Sequence, residues 1–193
     1  MPILAEKQRL FTVDEYHAMG EAGILTEDDR VELLDGQIIA MSPIGPPHIH
    51  TINHLLDLFA RRLYAQPTPP ARLSIQNPVR LNRYSEPEPD VVLLRTDAPQ
   101  DRMPAPEDVL LLIEVSNTSL SYDRNVKAPH YAAAGIPEYW IVAVVAGYID
   151  VFRAPSAGRY TQHTRKQRGD RLDVTALPDL DALDISSVLG AAA

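Results

Sequence analysis

Three apolar runs of the sequence each carry one carboxylate: Glu32 in RVELL, Asp90 at the start of DVVLL and Glu114 near the end of VLLLIEV. An isolated ionised carboxylate in apolar surroundings is costly, so this repeated placement predicts a compensating cation. Mg²⁺ prefers oxygen ligands, takes one or two carboxylates from a protein and keeps several waters. The pattern therefore predicts a Mg²⁺ site, with Mn²⁺ as a substitute, built from Asp90, Glu114 and the carbonyl oxygen of Val115. Glu32 would bind a second ion or orient the attacking water, and Lys127 would position that water or neutralise charge on a phosphate.

The strands that must carry Asp90 and Glu114 are the runs PDVVLL and DVLLLIEV, which are almost continuously apolar. Such runs are typical of strands covered on both faces of a sheet. The connection between them is polar, contains three prolines and is too short for a helix, so the two strands are expected to pair antiparallel. In that arrangement the start of the first strand lies beside the end of the second, and Asp90 meets Glu114.

Glu32 lies in a segment that predicts a β-hairpin. Asp35 and Gly36 separate two β-prone runs, and this dipeptide favours a type I′ turn. With these two residues in the turn, Glu32 faces Ile39 across the hairpin and lies among apolar neighbours.

Three helices are predicted around these strands. The first begins at the N-cap Thr12 and has the spacing of a capping box. The second has apolar residues at helical spacing and extends from about Pro47 to Ala65. The third, in SYDRNVKAPHYAAAG, carries Lys127 and ends at a glycine in the position of a left-handed cap. Pro129 would either kink this helix or begin a shorter one.

Further strands complete the expected sheet. The run LSIQNPVRL contains a proline and is expected at a sheet edge or a bulge. The runs EYWIVAVV and YIDVF flank Ala146 and Gly147 and predict another hairpin, which RYTQHT and RLDV would extend into a meander. These elements predict an α/β (α+β) fold with a mixed central β-sheet flanked by helices.

The overall composition limits the classes of protein. A chain of 193 residues with 45% hydrophobic and 23% charged residues predicts one globular domain over residues 1–193, with a core of about 11–189. It contains no cysteine, which excludes disulfides and thiolate chemistry. The start of the sequence lacks a secretory pattern and no segment is long enough to cross a bilayer, so a cytoplasmic protein without membrane contact is expected. The formal net charge of −8 counts against nonspecific nucleic-acid binding, although a metal ion can reverse the local field within a cleft.

The carboxylate positions resemble those of the PD-(D/E)xK superfamily of restriction-endonuclease-like proteins. Pro89-Asp90 is similar to the PD element, and Glu114-Val115-Ser116 is similar to the second element, with Ser116 where the usual lysine would stand. Lys127 resembles the migrated lysine of some branches of that superfamily. The resemblance implies a magnesium-type site at Glu32, Asp90, Glu114 and Lys127.

A longer stretch, IEVSNTSLSYDRNVKAPHYAAAGIPEYWIV, resembles the Uma-type restriction endonuclease family, a large bacterial group. The resemblance extends from about Phe11 to Leu189 and includes FTVDEY, VELLDGQI, SPIGPPH, the PD pair and the final DISSVL. Family members often carry Asp or Asn where this chain has Ala143, and that departure leaves the four site residues intact. The resemblance implies a restriction-endonuclease-like fold and nuclease activity.

Each of the four site residues also has a purely structural interpretation. Glu32 could reach solvent at the sheet margin. Asp90 could simply form a turn with the preceding Pro89, and Glu114 could belong to a structural salt bridge. Lys127 lies four residues after Asp123, which is the spacing of a surface ion pair on a helix.

Other motifs carry weaker functional signals. His50 and His54 have the spacing of two metal ligands on a helix but lack the glutamate of a zinc-protease motif. At His48 the chain resembles the Uma-type family, which has a histidine after this proline-rich stretch; the alternative is a residue that caps the start of the helix. Tyr139 and Trp140 favour core packing over base stacking. The basic residues of RKQRG, which are Arg165, Lys166 and Arg168, predict a solvated loop, with phosphate contact as the alternative.

Three functions are consistent with these residues. The first is a metal-dependent endonuclease that hydrolyses phosphodiester bonds in nucleic acid, with DNA as the expected partner. The second is a noncatalytic module that kept the fold and binds a partner, which the net negative charge would suit. The third is a glycoside hydrolase that uses paired carboxylates, which leaves Lys127 and Glu32 without a role. A homodimer is plausible in each case, although no residue of the sequence demonstrates one.

Overall fold

The computed structural model describes residues 8–26 and 28–190. Residues 1–7, on which part of the expectation about a secretory segment depends, lie outside the described residues. Within these ranges no helix is both long and apolar enough to span a membrane.

The strands, in chain order, are β1 Val31–Leu34, β2 Gln37–Ala40, β3 Arg72–Ile75, β4 Val91–Leu94, β5 Val109–Ser116, β6 Glu138–Ala143, β7 Tyr148–Ser156, β8 Arg159–Gln167, β9 Arg171–Leu172 and β10 Leu183–Asp184. The helices are α1 Val13–Glu21, α2 Pro46–Leu63, α3 Leu120–Tyr122, α4 Ala128–Ala134 and α5 Ile185–Leu189. A 3-10 turn at Pro106–Asp108 precedes β5, and a π-helical turn at Asp123–Lys127 joins α3 to α4.

The central sheet has six strands in the order β3-β4-β5-β6-β7-β8. Strand β5 pairs parallel with β6, and the other neighbours pair antiparallel. The predicted mixed sheet flanked by helices is therefore confirmed. The predicted antiparallel pairing of β4 with β5 is also present, with Val91 opposite Ile113 and Val92 opposite Leu112.

Alternation along β5 separates the two faces of the sheet. Ile113 and Val115 belong to the apolar cluster beneath α2, whereas Leu112 belongs to the cluster beneath α4. Glu114 lies between Ile113 and Val115, so its side chain projects toward the α4 face. Continuing the β4–β5 register by one residue places Asp90 opposite Glu114 and on the same face.

The apolar stripe of α2 explains why this helix covers the opposite face. Ile52, Leu55, Phe59 and Leu63 are buried against the sheet at helical spacing. Burying side chains of this size contributes about 1.5–3 kcal/mol each. The N-terminal turn of α2 consequently lies near Asp90, at the start of β4, and brings His48 to the site.

Two local predictions at the N-terminal half are confirmed. Helix α1 has Thr12 as its N-cap and a complete capping box with Glu15. The β1–β2 hairpin has Asp35 and Gly36 at positive φ, and Glu32 pairs with Ile39. Local sequence alone therefore fixes the start of α1, through its capping box, and the turn between β1 and β2.

The helical segment that carries Lys127 differs from a continuous helix. Pro129 lies in the first turn of α4 and has no N–H to donate to the carbonyl of Asn125, which favours a wider turn just before it. The backbone N–H of Ala128 instead donates to the carbonyl of Asp123, closing the π turn. This turn directs both Asp123 and Lys127 inward, where their side chains are buried.

The C-terminal part contains one incorrect prediction. Strand β8 extends the meander beyond the β6–β7 hairpin, as predicted. RLDV does not continue the sheet, because β9 pairs with β10 in a separate two-stranded ribbon. Leu172 and Leu183 of this ribbon are buried in the apolar cluster beneath α2, so burial of those side chains decides its position.

Replacing Gly36 with alanine is expected to lower the free energy of unfolding by about 3 kcal/mol. Gly36 has φ +71°, and an added Cβ would lie 2.6 Å from Cβ of Leu10. Gly147→Ala is the matched control, because Gly147 has φ +70° but no neighbour within 4 Å of the added atom. Gly147→Ala is expected to lower the free energy of unfolding by only about 1 kcal/mol, because alanine is strained in the left-handed conformation. Equal losses for both variants in urea denaturation would contradict the close approach.

Candidate functional site

A cavity of about 420 Å³ opens where the start of β4 meets the end of β5. Its wall includes every residue predicted for the site, namely Glu32, Asp90, Glu114, Val115 and Lys127. It also includes titratable side chains that the sequence did not point to as site residues, namely His48, Glu88, Tyr122 and Asp123. The predicted residues thus come together in space, although they lie in separate β segments and a helical turn.

Asp90 precedes β4 and is held by two hydrogen bonds. The backbone N–H of Val115 donates to Oδ2 at 2.7 Å, and Nε2 of His48 contacts Oδ1 at 3.0 Å. The hydrogen bond with Asp90 raises the pKa of His48 despite its burial, and a bond with the backbone of Val115 acts in the same direction. His48, in the first turn of α2, therefore positions Asp90.

Lys127 joins the two glutamates of the site. Its Nζ lies 2.9 Å from Oε1 of Glu114 and 3.0 Å from Oε2 of Glu32. Oε1 of Glu114 also accepts a hydrogen bond from the hydroxyl of Tyr131 at 2.7 Å, and Oε2 of Glu32 accepts one from the backbone N–H of Glu88 at 3.2 Å. All three charged side chains are buried, and one oxygen of each glutamate is paired with the ammonium and with a further donor.

The electrostatics of this group show an excess of negative charge. Burial alone would lower the pKa of Lys127, but Glu114 and Glu32 raise it above its ordinary value and keep the ammonium charged. Burial raises the pKa of Glu114, and nearby Asp90 acts in the same direction. One ammonium therefore faces more carboxylates than it can neutralise.

Asp123 is a further buried carboxylate in the cavity wall. It accepts hydrogen bonds from the hydroxyls of Ser116 and Ser119, the latter at 2.7 Å. Burial raises its pKa above the ordinary value. Ser116 stands where the superfamily motif usually has a lysine. In this chain its hydroxyl donates to the Asp123 carboxylate.

Tyr122 contributes a hydroxyl group that has no hydrogen-bond partner among the described residues, although the atom is buried. Burial raises the pKa of Tyr122 to about 12, so the group stays protonated and can donate. A buried donor without a partner is costly. Its position in the cavity wall makes it available to a bound water or ligand.

The donor set fits a hard divalent cation. Asp90 and Glu114 supply carboxylate oxygens on one face, and a cation would supply the positive charge that Lys127 alone does not. In residues 8–26 and 28–190, no three His, Asp or Glu side chains cluster as a metal-binding group.

The missed residues left only weak signals in the sequence. The sequence offers His48 as a helix cap, but the N-cap of α2 is Gly45, and the contact of His48 with Asp90 spans 42 residues of chain. The helical spacing of Asp123 and Lys127 is that of a surface ion pair, but the π turn buries both side chains. A proline two residues after a lysine, which disfavours a regular helix there, was the available signal.

The other candidate motifs lie outside the cavity. His50 is exposed, and the ring of His54 contacts the carbonyl of Ser187. Tyr139 and Trp140 are fully buried, so core packing was the correct interpretation.

The comparisons with known proteins agree with this architecture. A model of the Uma2 family, described as "Putative restriction endonuclease", matches residues 13–186. The chain belongs to the Uma2 family. The predicted family membership is thereby confirmed, and the matched region contains all four predicted site residues. The comparison with curated proteins gives no match.

A solved structure from Anabaena variabilis ATCC 29413, described as a "putative nuclease belonging to DUF820", has a similar fold with a TM-score of 0.73. The two sequences are 14% identical, and the similarity covers 93% of this chain and 97% of the other. At this identity the likeness shows the fold. The Uma2 chain described here therefore shares nearly its whole architecture with that protein.

Replacing Lys127 with methionine is expected to lower the free energy of unfolding by about 3–5 kcal/mol, because two buried carboxylates lose their cation. Lys127 lowers the pKa of Glu114, so its removal raises that pKa further. A carboxyl group whose pKa is raised in the folded state makes the protein less stable as pH rises. The stability lost in Lys127→Met is therefore expected to shrink from pH 7 toward about pH 5. Arg61→Met on the exposed face of α2 is the control and should change stability by less than about 0.5 kcal/mol. Urea denaturation at both pH values measures the difference, and a pH-independent deficit would contradict the burial of the charge group.

Proposed function

We propose that this protein is a Mg²⁺-dependent endonuclease that hydrolyses phosphodiester bonds in DNA. The observation that carries the proposal is the convergence of Asp90, Glu114 and Lys127 in one cavity, with Glu32 bound to the lysine. The family description and the fold support a nuclease of the restriction-endonuclease type. The substrate and the metal are the parts that the proposal adds.

Asp90, Glu114 and the carbonyl of Val115 would hold the Mg²⁺ ion. When bound, such an ion supplies Lewis-acid stabilisation of phosphate charge and lowers the pKa of a coordinated water. His48 and the backbone N–H of Val115 fix the orientation of the Asp90 carboxylate. Tyr131 does the same for Glu114 through its hydroxyl.

Lys127 acts as a donor in this proposal. Since Glu114 and Glu32 keep its ammonium charged, it is suited to hold a water or to neutralise charge that develops on a phosphate oxygen. It is a poor candidate for a general base, because a base must first lose its proton. Glu32 positions Lys127 through the contact of 3.0 Å.

Tyr122 and Asp123 complete the polar wall of the cavity. The buried hydroxyl of Tyr122 can donate to a substrate oxygen or to a bound water. Asp123 is held by two serine hydroxyls, which leaves it as a fixed acceptor beside the cavity. Tyr122 could thus bind a phosphate oxygen of the substrate, whereas Asp123 could accept only from a bound water or another donor.

Asp90→Asn and Glu114→Gln are expected to lower the rate of DNA cleavage at least about 100-fold and to abolish the heat of Mn²⁺ binding. Both changes keep the shape of the side chain while removing the charge that a cation needs. Asp57→Asn, on the exposed part of α2, is the matched control and should leave both quantities unchanged. Plasmid cleavage with Mg²⁺ or Mn²⁺ and isothermal titration measure the two effects.

Cleavage that survives in Glu114→Gln would contradict the proposed site. A wild-type protein that binds no divalent cation and cleaves neither plasmid nor single-stranded DNA would contradict the proposed function. That result would instead favour the noncatalytic module that the negative net charge suits.

A further inference from the structure

A group of basic side chains surrounds one buried carboxylate on the same face of the sheet as the candidate site. Asp150 on β7 is fully buried and is bound by Arg124, Arg165 and His163. Arg165 donates from Nε to Oδ1 at 2.9 Å and from Nη2 to Oδ2 at 3.2 Å. Its guanidinium also lies 3.7 Å above the ring of Tyr148. We call Arg124, Arg165, His163 and Asp150 the basic cluster.

The basic cluster carries net positive charge on a protein of net charge −8. The two guanidinium groups are always ionised and share the single carboxylate of Asp150, so at least one positive charge stays uncompensated within the cluster. Although burial alone would raise the pKa of Asp150, the bonds from Arg165, Arg124 and His163 hold it below its ordinary value. Asp150 thus stays ionised and fixes the arginines in place.

The arginines keep donors free for a ligand. The side chains of Arg124, Arg165 and His163 are 34%, 42% and 45% exposed. Nη1 of Arg124 and of Arg165 has no hydrogen-bond partner in the part of the chain that the structure describes. A planar guanidinium that is anchored through one edge and open at the other is suited to bind a phosphate.

The register of the sheet places this cluster in line with the candidate site. Glu114 pairs with Ile141, Ile141 pairs with Asp150, and Asp150 pairs with Arg165. Directly paired residues project to the same face, so this row runs from the cavity to the edge strand β8 on the α4 face. Three strand spacings correspond to about 14 Å, a distance that a few nucleotides span. Arg124 belongs to the same π turn as Lys127, which joins the two groups along the chain.

We propose that the basic cluster binds backbone phosphates of the nucleic acid a few nucleotides away from the bond at the Asp90–Glu114 site. This inference rests on the proposed function, since the bound phosphates belong to the same strand as the cleaved bond. It gives an acidic protein a local group of positive charges beside the cavity to which a polyanion can bind. A phosphate contact would bind nucleic acid with little dependence on base sequence.

The test uses the full chain and a short labelled DNA duplex in Ca²⁺, with binding followed by fluorescence anisotropy between about 50 and 200 mM salt. Arg165→Gln is expected to weaken binding about fivefold at the lower salt concentration and to reduce the slope of log affinity against log salt by about 1. Arg165→Lys keeps the charge but loses the two-bond geometry toward Asp150. It is expected to restore most of the binding, which a purely structural role of Arg165 would not allow.

Lys166→Gln is the matched control. Lys166 is adjacent to Arg165 on β8 and pairs with Ile149, whose side chain belongs to the cluster beneath α2, so it lies on the opposite face of the sheet. Its replacement removes the same charge from the same strand and is expected to leave DNA binding unchanged. Hydrolysis of bis-nitrophenyl phosphate, which is too small to reach the basic cluster from the cavity, is expected to proceed equally in all variants.

The outcomes separate this inference from the proposed function. DNA binding that is unchanged in Arg165→Gln, equally weakened in Lys166→Gln, or not restored in Arg165→Lys would overturn the inference, as would a wild-type protein that binds no DNA. A wild-type protein that does not hydrolyse the small diester but binds DNA through Arg165 would overturn the proposed nuclease function and support the phosphate contact. Normal small-diester hydrolysis with Arg165-independent DNA binding would do the reverse.

Discussion

The burial of one ammonium group between two carboxylates is the constraint on which the rest of the structure depends. Lys127 reaches both Glu32 and Glu114 where all three side chains are almost inaccessible to solvent. Removing two carboxylates from water is expensive, and the attraction of a single lysine repays the cost only with good geometry and further hydrogen bonds. Tyr131 and the backbone of Glu88 supply those hydrogen bonds. The hairpin, the central strand and the π turn must therefore meet at one point.

Charge is distributed very unevenly across the α4 face. The cavity collects acidic groups, of which Asp90 and Asp123 are held by neutral or weakly basic donors and not by fixed cations. Along the same row of the sheet, Asp150 is surrounded by two arginines and a histidine. A region that attracts cations thus lies beside a region that attracts anions. The proposed metal ion and phosphate chain would need such an arrangement, of which the net charge of −8 gives no indication.

Local rules account for the parts of the fold that the sequence predicted. The antiparallel partner of Glu114 followed from two apolar runs and a connection too short for a helix, and the pairing of Glu32 with Ile39 followed from the Asp35-Gly36 turn. In both cases the period of two along a strand decides which side chains share a face. Because Asp90, Glu114 and Glu32 all lie at or beside such strands, most of the candidate site was predictable.

The features that escaped prediction depend on contacts between distant segments. His48 meets Asp90 only because the apolar stripe of α2 packs on the sheet and leaves its first turn at the cavity. Asp123 turns inward because of a π turn, whereas regular helical spacing predicts a surface pair. Arg165 and Lys166 were expected in a solvated loop but lie on β8, where alternation sends them to opposite faces. Unless the basic run is known to be a strand, the sequence does not show which of its residues faces the site.

The central claim is that Asp90 and Glu114 share one hydrated cation. Anomalous diffraction from crystals soaked in Mn²⁺ tests this claim most directly, because it locates the ion without relying on activity. The account predicts one strong Mn²⁺ peak in the cavity, contacted by carboxylate oxygens of Asp90 and Glu114, with the ammonium of Lys127 nearby. A cavity that stays free of anomalous signal at saturating Mn²⁺, or an ion bound only elsewhere on the protein, would contradict it.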